Sequence, residues 1–194
     1  CVRLYFCIKE VKFSNCKWLD LKKLVTSLIK PDQELVEVKY FTSRVSNDPD
    51  KQKRQATYIE AVEASGVNIF YGHYQSNLVT CKRCGAVWSN YNEKMTDVNI
   101  ATQIIMDAYI DKYDMAMLIS GDSDLVPPIK AVHENFKRKR VFVAFPPKRH
   151  NKSVSIMAKG SIVLGRKKLV DCQFADKVTK KDGFVLSKPK EWIE

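Results

Sequence analysis

The sequence predicts an α/β fold built on one central, mostly parallel sheet with helices on both faces. Two observations carry that expectation. The runs Met115-Ala116-Met117-Leu118-Ile119 and Val141-Phe142-Val143-Ala144-Phe145 are short, apolar and unalternating, as in strands buried on both faces. The segments between such runs carry apolar residues at helical spacing, the pattern of strands joined by crossover helices. A chain of 194 residues holds one well-buried core rather than two independent ones.

The elements follow in order. Leu21, Leu24, Val25 and Leu28 put one apolar stripe on a helix over 18–29, which must stop before Pro31. Residues 35–41 alternate as a half-buried strand does. A polar-faced helix over 50–65 ends at Gly66, whose freedom to adopt positive φ suits a helix stop. Residues 67–71 form a short apolar strand. Ile100, Ile104, Ile105 and Ala108 then share one face of a helix that opens at Thr96 and runs to about 112. A buried strand over 115–119, a helix over 125–136 and a buried strand over 141–145 follow, and 161–164 reads as the last core strand. The domain is expected to span 1–169, with an insert around a Cys-x-x-Cys motif near 74–92. Residues 170–194, basic and broken by Gly183 and Pro189, read as a loose C-terminal extension.

The formal net charge of +11 asks for a polyanionic partner, and much of the excess is clustered. Lys137-Arg138-Lys139-Arg140 and Lys148-Arg149-His150-Asn151-Lys152 are the densest runs, followed by Arg166-Lys167-Lys168 and the stretch over 177–181. Lysines and arginines displace condensed counterions from phosphates, so such runs point to nucleic acid, against the plainer reading of a solvated surface. A membrane partner is not expected: every apolar stretch is far shorter than a span, and no signal-peptide pattern opens the sequence. Six cysteines in a chain of this size do not make a disulfide scaffold, which suggests a reducing, cytoplasmic setting.

Chemistry is concentrated in two acidic stretches. Ser120-Gly121-Asp122-Ser123-Asp124 directly follows the strand 115–119, and in a parallel sheet the carboxyl ends of strands are where ligands bind. Gly121 allows a tight turn, after which Asp122 and Asp124 can both offer hard oxygen ligands to a cation. The plainer reading is an ordinary turn with Asp124 or Ser123 capping the following helix. Asp97 stands at the start of the helix feeding that strand, where it could cap the helix or join a shared acidic pocket. Lys94, three residues earlier, could contact a phosphate or simply be solvated.

These stretches carry a family resemblance. The run from Glu93 to Ala101 (Glu-Lys-Met-Thr-Asp-Val-Asn-Ile-Ala) and the run from Tyr113 to Pro127, with its Ser-Gly-Asp-Ser-Asp core, resemble the NYN domain family of the PIN-like nuclease superfamily. Leu4-Tyr5-Phe6, Trp18-Leu19-Asp20-Leu21, Tyr71-Gly72-His73-Tyr74 and Ala144-Phe145-Pro146-Pro147 extend the likeness over nearly the whole chain. The resemblance implies a Rossmann-like, PIN-type fold and a metal-dependent endoribonuclease. In that reading Asp97, Asp122 and Asp124 are catalytic ligands of Mg²⁺ or Mn²⁺, and Lys94, Arg138, Lys139, Arg140, Lys148 and Arg149 bind RNA, single-stranded or structured. One departure is plain. The family's first Asp is expected immediately ahead of Cys1, and Arg3 stands where the family carries an Asn. A catalytically impaired RNA-binding or scaffold module is therefore the alternative, and a hydrolase of small phosphorylated molecules is a third reading.

Cys81-Lys82-Arg83-Cys84-Gly85 resembles half a zinc knuckle. A structural Zn²⁺ wants four ligands, and the remaining candidates are His73, Cys7, Cys16 and Cys172, none in a second Cys-x-x-Cys. Zinc held with two of these, zinc shared by two chains in a homodimer, and a reduced pair in a tight turn all remain open. Lys82, Arg83, Trp88 and Tyr91 are available to line an RNA path, the aromatics by stacking on bases.

Overall fold

The computed structural model describes residues 16–44 and 48–193. Cys7, Arg3 and the Leu4-Tyr5-Phe6 segment lie outside the described residues. Helix α1 (Leu21–Thr26) begins on Asp20, whose carboxylate accepts the Lys23 N–H at 3.0 Å. Strand β1 (Lys39–Thr42) leads to helix α2 (Pro49–Ala64), capped by Asp48 with Pro49 at its first position and closed by Gly66 at φ +87°. Strand β2 (Asn68–Tyr71) is followed by β3 (His73–Thr80) and β4 (Val87–Lys94), then by helix α3 (Thr96–Tyr109). Strand β5 (Met115–Leu118), a 3-10 turn (Ser123–Leu125), helix α4 (Val126–Asn135) and strand β6 (Arg140–Phe145) form the next unit. Helix α5 (Lys152–Met157), strand β7 (Gly160–Val163), helix α6 (Arg166–Asp171) and strands β8 (Lys177–Thr179) and β9 (Val185–Ser187) complete the chain.

The fold is mixed α/β. Strands β5, β6 and β7 form a parallel sheet in that order, and β1 pairs in parallel with β2. Successive side chains of a strand point to opposite faces, so β6 serves two cores. Val141, Val143 and Phe145 pack with Ile100, Ile104, Leu125, Ile129 and Val154 of α3, α4, α5 and the 3-10 turn. Ala144 turns the other way, into a cluster with Trp18, Leu24, Val62 and Leu169 from α1, α2, α6 and the segment ahead of α1. Helices therefore do cover both faces.

The single central sheet expected from the sequence is not what the described residues form. They make four separate sheets, two parallel and two antiparallel. The β1 segment and β5 face one another across a cleft of about 680 Å³ lined by Tyr40, Phe41, Ile104, Met117 and Leu118. Apolar runs report that a strand is buried; they carry no record of which edge it meets, and that is where the expectation failed. Several boundaries also shift: the helix expected over 18–29 is the shorter α1, and the strand expected over 35–41 is β1, displaced toward Thr42.

The C-terminal residues are not loose. Strands β8 and β9 pair antiparallel, and Leu186 and Trp192 are buried in the cluster around Trp18. The Trp18 and Trp192 rings lie 6.2 Å apart, with Tyr58 6.0 Å from Trp192. Burial of a large aromatic on this scale contributes about 2–3 kcal/mol, enough to hold a short basic segment that local pattern alone reads as unstructured. Among the described residues no helix is long and apolar enough to cross a membrane.

Candidate metal centre

Two loops and one helix start build the acidic site. The chain leaves β5 through Ile119 and Ser120 and turns at Gly121. The Ser120 hydroxyl accepts the Asp122 N–H at 3.2 Å, and Asp122 Oδ1 accepts the Asp124 N–H at 3.0 Å. Asp122 thus caps the 3-10 turn, whereas the plain turn reading put the cap on Ser123 or Asp124 for the following helix, which has no side-chain cap. It also does more: its Oδ2 is buried, and the carboxylate offers one oxygen to the cluster formed with its neighbours.

Asp97 reaches the same place from α3. The residue before that helix, Met95, sits at φ +72°, an unusual conformation for a side chain of its size. That left-handed residue turns β4 sharply into α3 and presents Asp97 in the helix's first turn. Gly72 supports the junction from beneath: a Cβ there would fall 2.6 Å from Thr96 Oγ1 and 2.8 Å from the Lys94 carbonyl oxygen. Only glycine allows the end of β2 to approach so closely.

Together these devices bring one carboxylate oxygen each from Asp97, Asp122 and Asp124 within 4.8 Å of one another. Among the described residues this is the one group of three or more metal-ligating side chains so placed. Asp122 is 7% exposed, Asp97 half-buried and Asp124 exposed, so the cluster opens to solvent on one side. Three hard oxygen donors at this separation fit one hard divalent ion. Metal–oxygen distances of about 2.0–2.6 Å require ligand oxygens roughly 3–5 Å apart.

The second loop closes on the acids. After β6, Pro146 and Pro147 are buried, Lys148 adopts φ +59°, and Arg149 and His150 are exposed. The Arg149 carbonyl oxygen lies where a Cβ on Gly121 would stand, 2.0 Å away, so Gly121 is required by this contact rather than by its own turn. Asn151 locks the pair of loops: its amide nitrogen donates to the Gly121 carbonyl at 3.3 Å, and its Oδ1 accepts the Val154 N–H to cap α5. In the sequence Asn151 stands only as one member of a basic run. An Asn heading a short helix is a recognisable cap signal, but its second partner across the chain is not legible locally.

The residues expected to bind RNA divide between two ends of the strands. Lys148 and Arg149 stand on the loop against the acids, and Lys94 is exposed three residues ahead of Asp97. Arg138 and Lys139 precede β6 and Arg140 opens it, at the amino end of the strand, roughly 17 Å away by strand rise. Lys139 is 7% exposed and pairs with Asp111 and Asp114, so its charge is committed within the fold. That pairing holds the Asp111 carboxyl below its usual range. Cys81 and Cys84 occupy the turn between β3 and β4, far from Cys16 and Cys172, which are buried in the core. His73 is at the opposite end of the same hairpin. The expectation that one described chain supplies four zinc ligands is therefore not met.

A family model, the NYN domain, matches residues 7–164. The chain belongs to the NYN family. The acidic stretches of this NYN domain fall inside the match. It is also similar to a 6-hydroxy-3-succinoylpyridine 3-monooxygenase of Pseudomonas putida, 22% identical over 186 residues covering 78% of this chain. The chain spans 58% of that relative's length. A crystal structure of a protein of unknown function from Vibrio parahaemolyticus resembles the NYN domain with a TM-score of 0.51 and 21% identity. That likeness covers 74% of this chain and 77% of the other and concerns the fold alone.

Proposed function

We propose that this NYN domain is a divalent-metal-dependent endoribonuclease that hydrolyses RNA phosphodiester bonds at Asp97, Asp122 and Asp124. The observation carrying the proposal is the approach of three carboxylates to within 4.8 Å beside a cationic loop. The three side chains would hold Mg²⁺ or Mn²⁺, which supplies Lewis acidity toward a phosphate oxygen and makes water a better nucleophile. The protein's own part is positional. Asp122, fixed by the Asp124 N–H and by Ser120, sets the site's floor, and the helix start sets Asp97. Lys148, Arg149 and Lys94 bind flanking phosphates and align the strand across the acids. Arg138 and Arg140, at the far end, extend the cationic track along a longer RNA. The low exposure of Asp122 limits competing water. The net charge of +11 favours a polymer over a small phosphorylated molecule or the small substrate named for the Pseudomonas relative. Action in the cytoplasm is part of the same proposal, from the cysteine usage.

The test is cleavage of labelled single-stranded RNA with Mg²⁺, with Mn²⁺ and with chelator, alongside binding at rising salt. Metal-dependent internal cuts and an affinity falling steeply with salt are expected. The 194-residue chain is compared with one carrying the family's first Asp ahead of Cys1, which is expected to cut faster. RNA binding without cleavage by either chain replaces the nuclease reading with that of an impaired RNA-binding module. Salt-independent binding overturns the RNA partner itself.

A further inference from the structure

The hairpin β3–β4 projects from the rim of the acidic site, and nothing in the proposed chemistry uses its tip. Two eight-residue strands pair with each other in register from His73–Lys94 to Thr80–Val87. Among the described residues no third strand joins it, and a two-stranded hairpin by itself is marginal in water. Leu78, Val87 and Trp88, just behind the tip, are exposed at 76%, 60% and 50%.

The tip is shaped as a bis-thiolate clip. The Cys81 N–H donates to the Ala86 carbonyl at 2.8 Å, and the Gly85 N–H returns to the Cys81 carbonyl at 2.9 Å, with Gly85 at φ +71°. This closed turn points the backbone N–H groups of Cys84 and Arg83 at the Cys81 sulfur and sets the Cys84 thiol beside it. No acid or imidazole lies between Leu78 and Trp88. His73 is roughly 25 Å down the strand, and Cys16 and Cys172 are buried in the core. Among the described residues this tip therefore brings two sulfur ligands together and no third.

We propose that Zn²⁺ is bound at the hairpin tip by Cys81 and Cys84 from each of two copies of this chain, a four-thiolate site that joins them. Tetrahedral sulfur coordination satisfies zinc's preferred number, which one tip cannot. Four thiolates around Zn²⁺ leave two negative charges, and Lys82 and Arg83 from both copies surround them with positive charge. Apposing two tips also covers Leu78, Val87 and Trp88, whose exposure a lone hairpin leaves unexplained.

The experiment uses the whole chain, reduced and loaded with Zn²⁺ alone, measuring bound zinc by elemental analysis and mass by light scattering. About half an equivalent of zinc per chain and a dimer that chelator converts to monomer are expected. Replacement with Co²⁺ should give the intense visible absorption of a tetrahedral thiolate site. Cys84→Ser and Cys81→Ser should each abolish zinc retention and dimer while leaving the circular dichroism of the body unchanged. One equivalent per monomer, no zinc, or a dimer that survives chelation would each overturn the proposal. RNA cleavage is not read in this test, so its outcome is independent of the nuclease reading.

Discussion

The two ends of the parallel strands use similar charges in opposite ways. At the amino end carboxylates are answered by lysines. Lys39 pairs with Asp107 and, at 3.3 Å, with Glu37; Lys112 reaches Glu37 at 2.7 Å; Lys139 holds Asp111. Gln103 and Asn68 add hydrogen bonds to the same acids. Burial alone would raise the Glu37 carboxyl, yet bonds from Lys112 and Asn68 outweigh it and leave it below its ordinary range. At the carboxyl end three carboxylates are crowded together, an arrangement whose mutual repulsion the proposed cation would relieve. The contrast separates charge used for stability from charge kept for binding.

The largest expected effect breaks the comparison at its acidic end. Asp122→Asn should lower metal-dependent cleavage by roughly three orders of magnitude, the several kcal/mol that a metal ligand supplies at the transition state. Its melting temperature should hold or rise, because one crowded charge is gone. A variant that unfolds instead would make Asp122 a structural acid like those at the other end.

At the amino end the same kind of change should do the reverse. Lys39→Met strands Asp107, and removing one partner of a nearly buried pair costs about 3 kcal/mol. Denaturant unfolding should report that loss, while metal affinity below the transition stays at the parent value. Reduced metal affinity would show that the two ends are coupled through β1.

Gly121→Ala should fall next. The added methyl would meet the Arg149 carbonyl, and moving a loop held by Asn151 costs about 1–3 kcal/mol. Because the displaced loop carries Lys148 and Arg149, RNA affinity should weaken along with stability. Unchanged RNA binding would remove this loop from the proposed path.

The smallest effect sharpens the comparison through pH. His133 Nε2 accepts the Val141 N–H at 3.0 Å, and burial, then the nearby Lys159, holds the imidazole below its ordinary range. The unfolded chain therefore takes up this proton at a higher pH than the folded one. The stabilisation is complete above the ordinary imidazole value and is lost as pH falls through the depressed one. Melts across that interval should show a shallow decline that His133→Gln flattens, with no change at the acids.

Local rules made the helices, the buried character of the strands and the acids legible. Periodicity is a property of neighbours in sequence, and a Gly-Asp-Ser-Asp run at a strand's end announces its chemistry wherever the strand lies. Gly66 stopping α2 is of this kind. Long-range placement is of another kind. That Asp97 meets Asp122 was inferred from resemblance and topology, but that Asn151 braces Gly121 was not, because its partner is thirty positions away and leaves no periodic trace. Lys139 reads like Arg138 and Arg140 in sequence; only the packing of β6 against the end of α3 buries it among acids. Trp192 closes a core that opens at Trp18, so the fate of the basic C-terminal residues was decided by aromatic burial across the whole chain. The sequence by itself determined which residues could bind a metal or a phosphate. The tertiary structure decided which of those charges stand together at the acidic cluster and which, like Lys139, are paired within the fold, since pairing and desolvation depend on neighbours that only folding supplies.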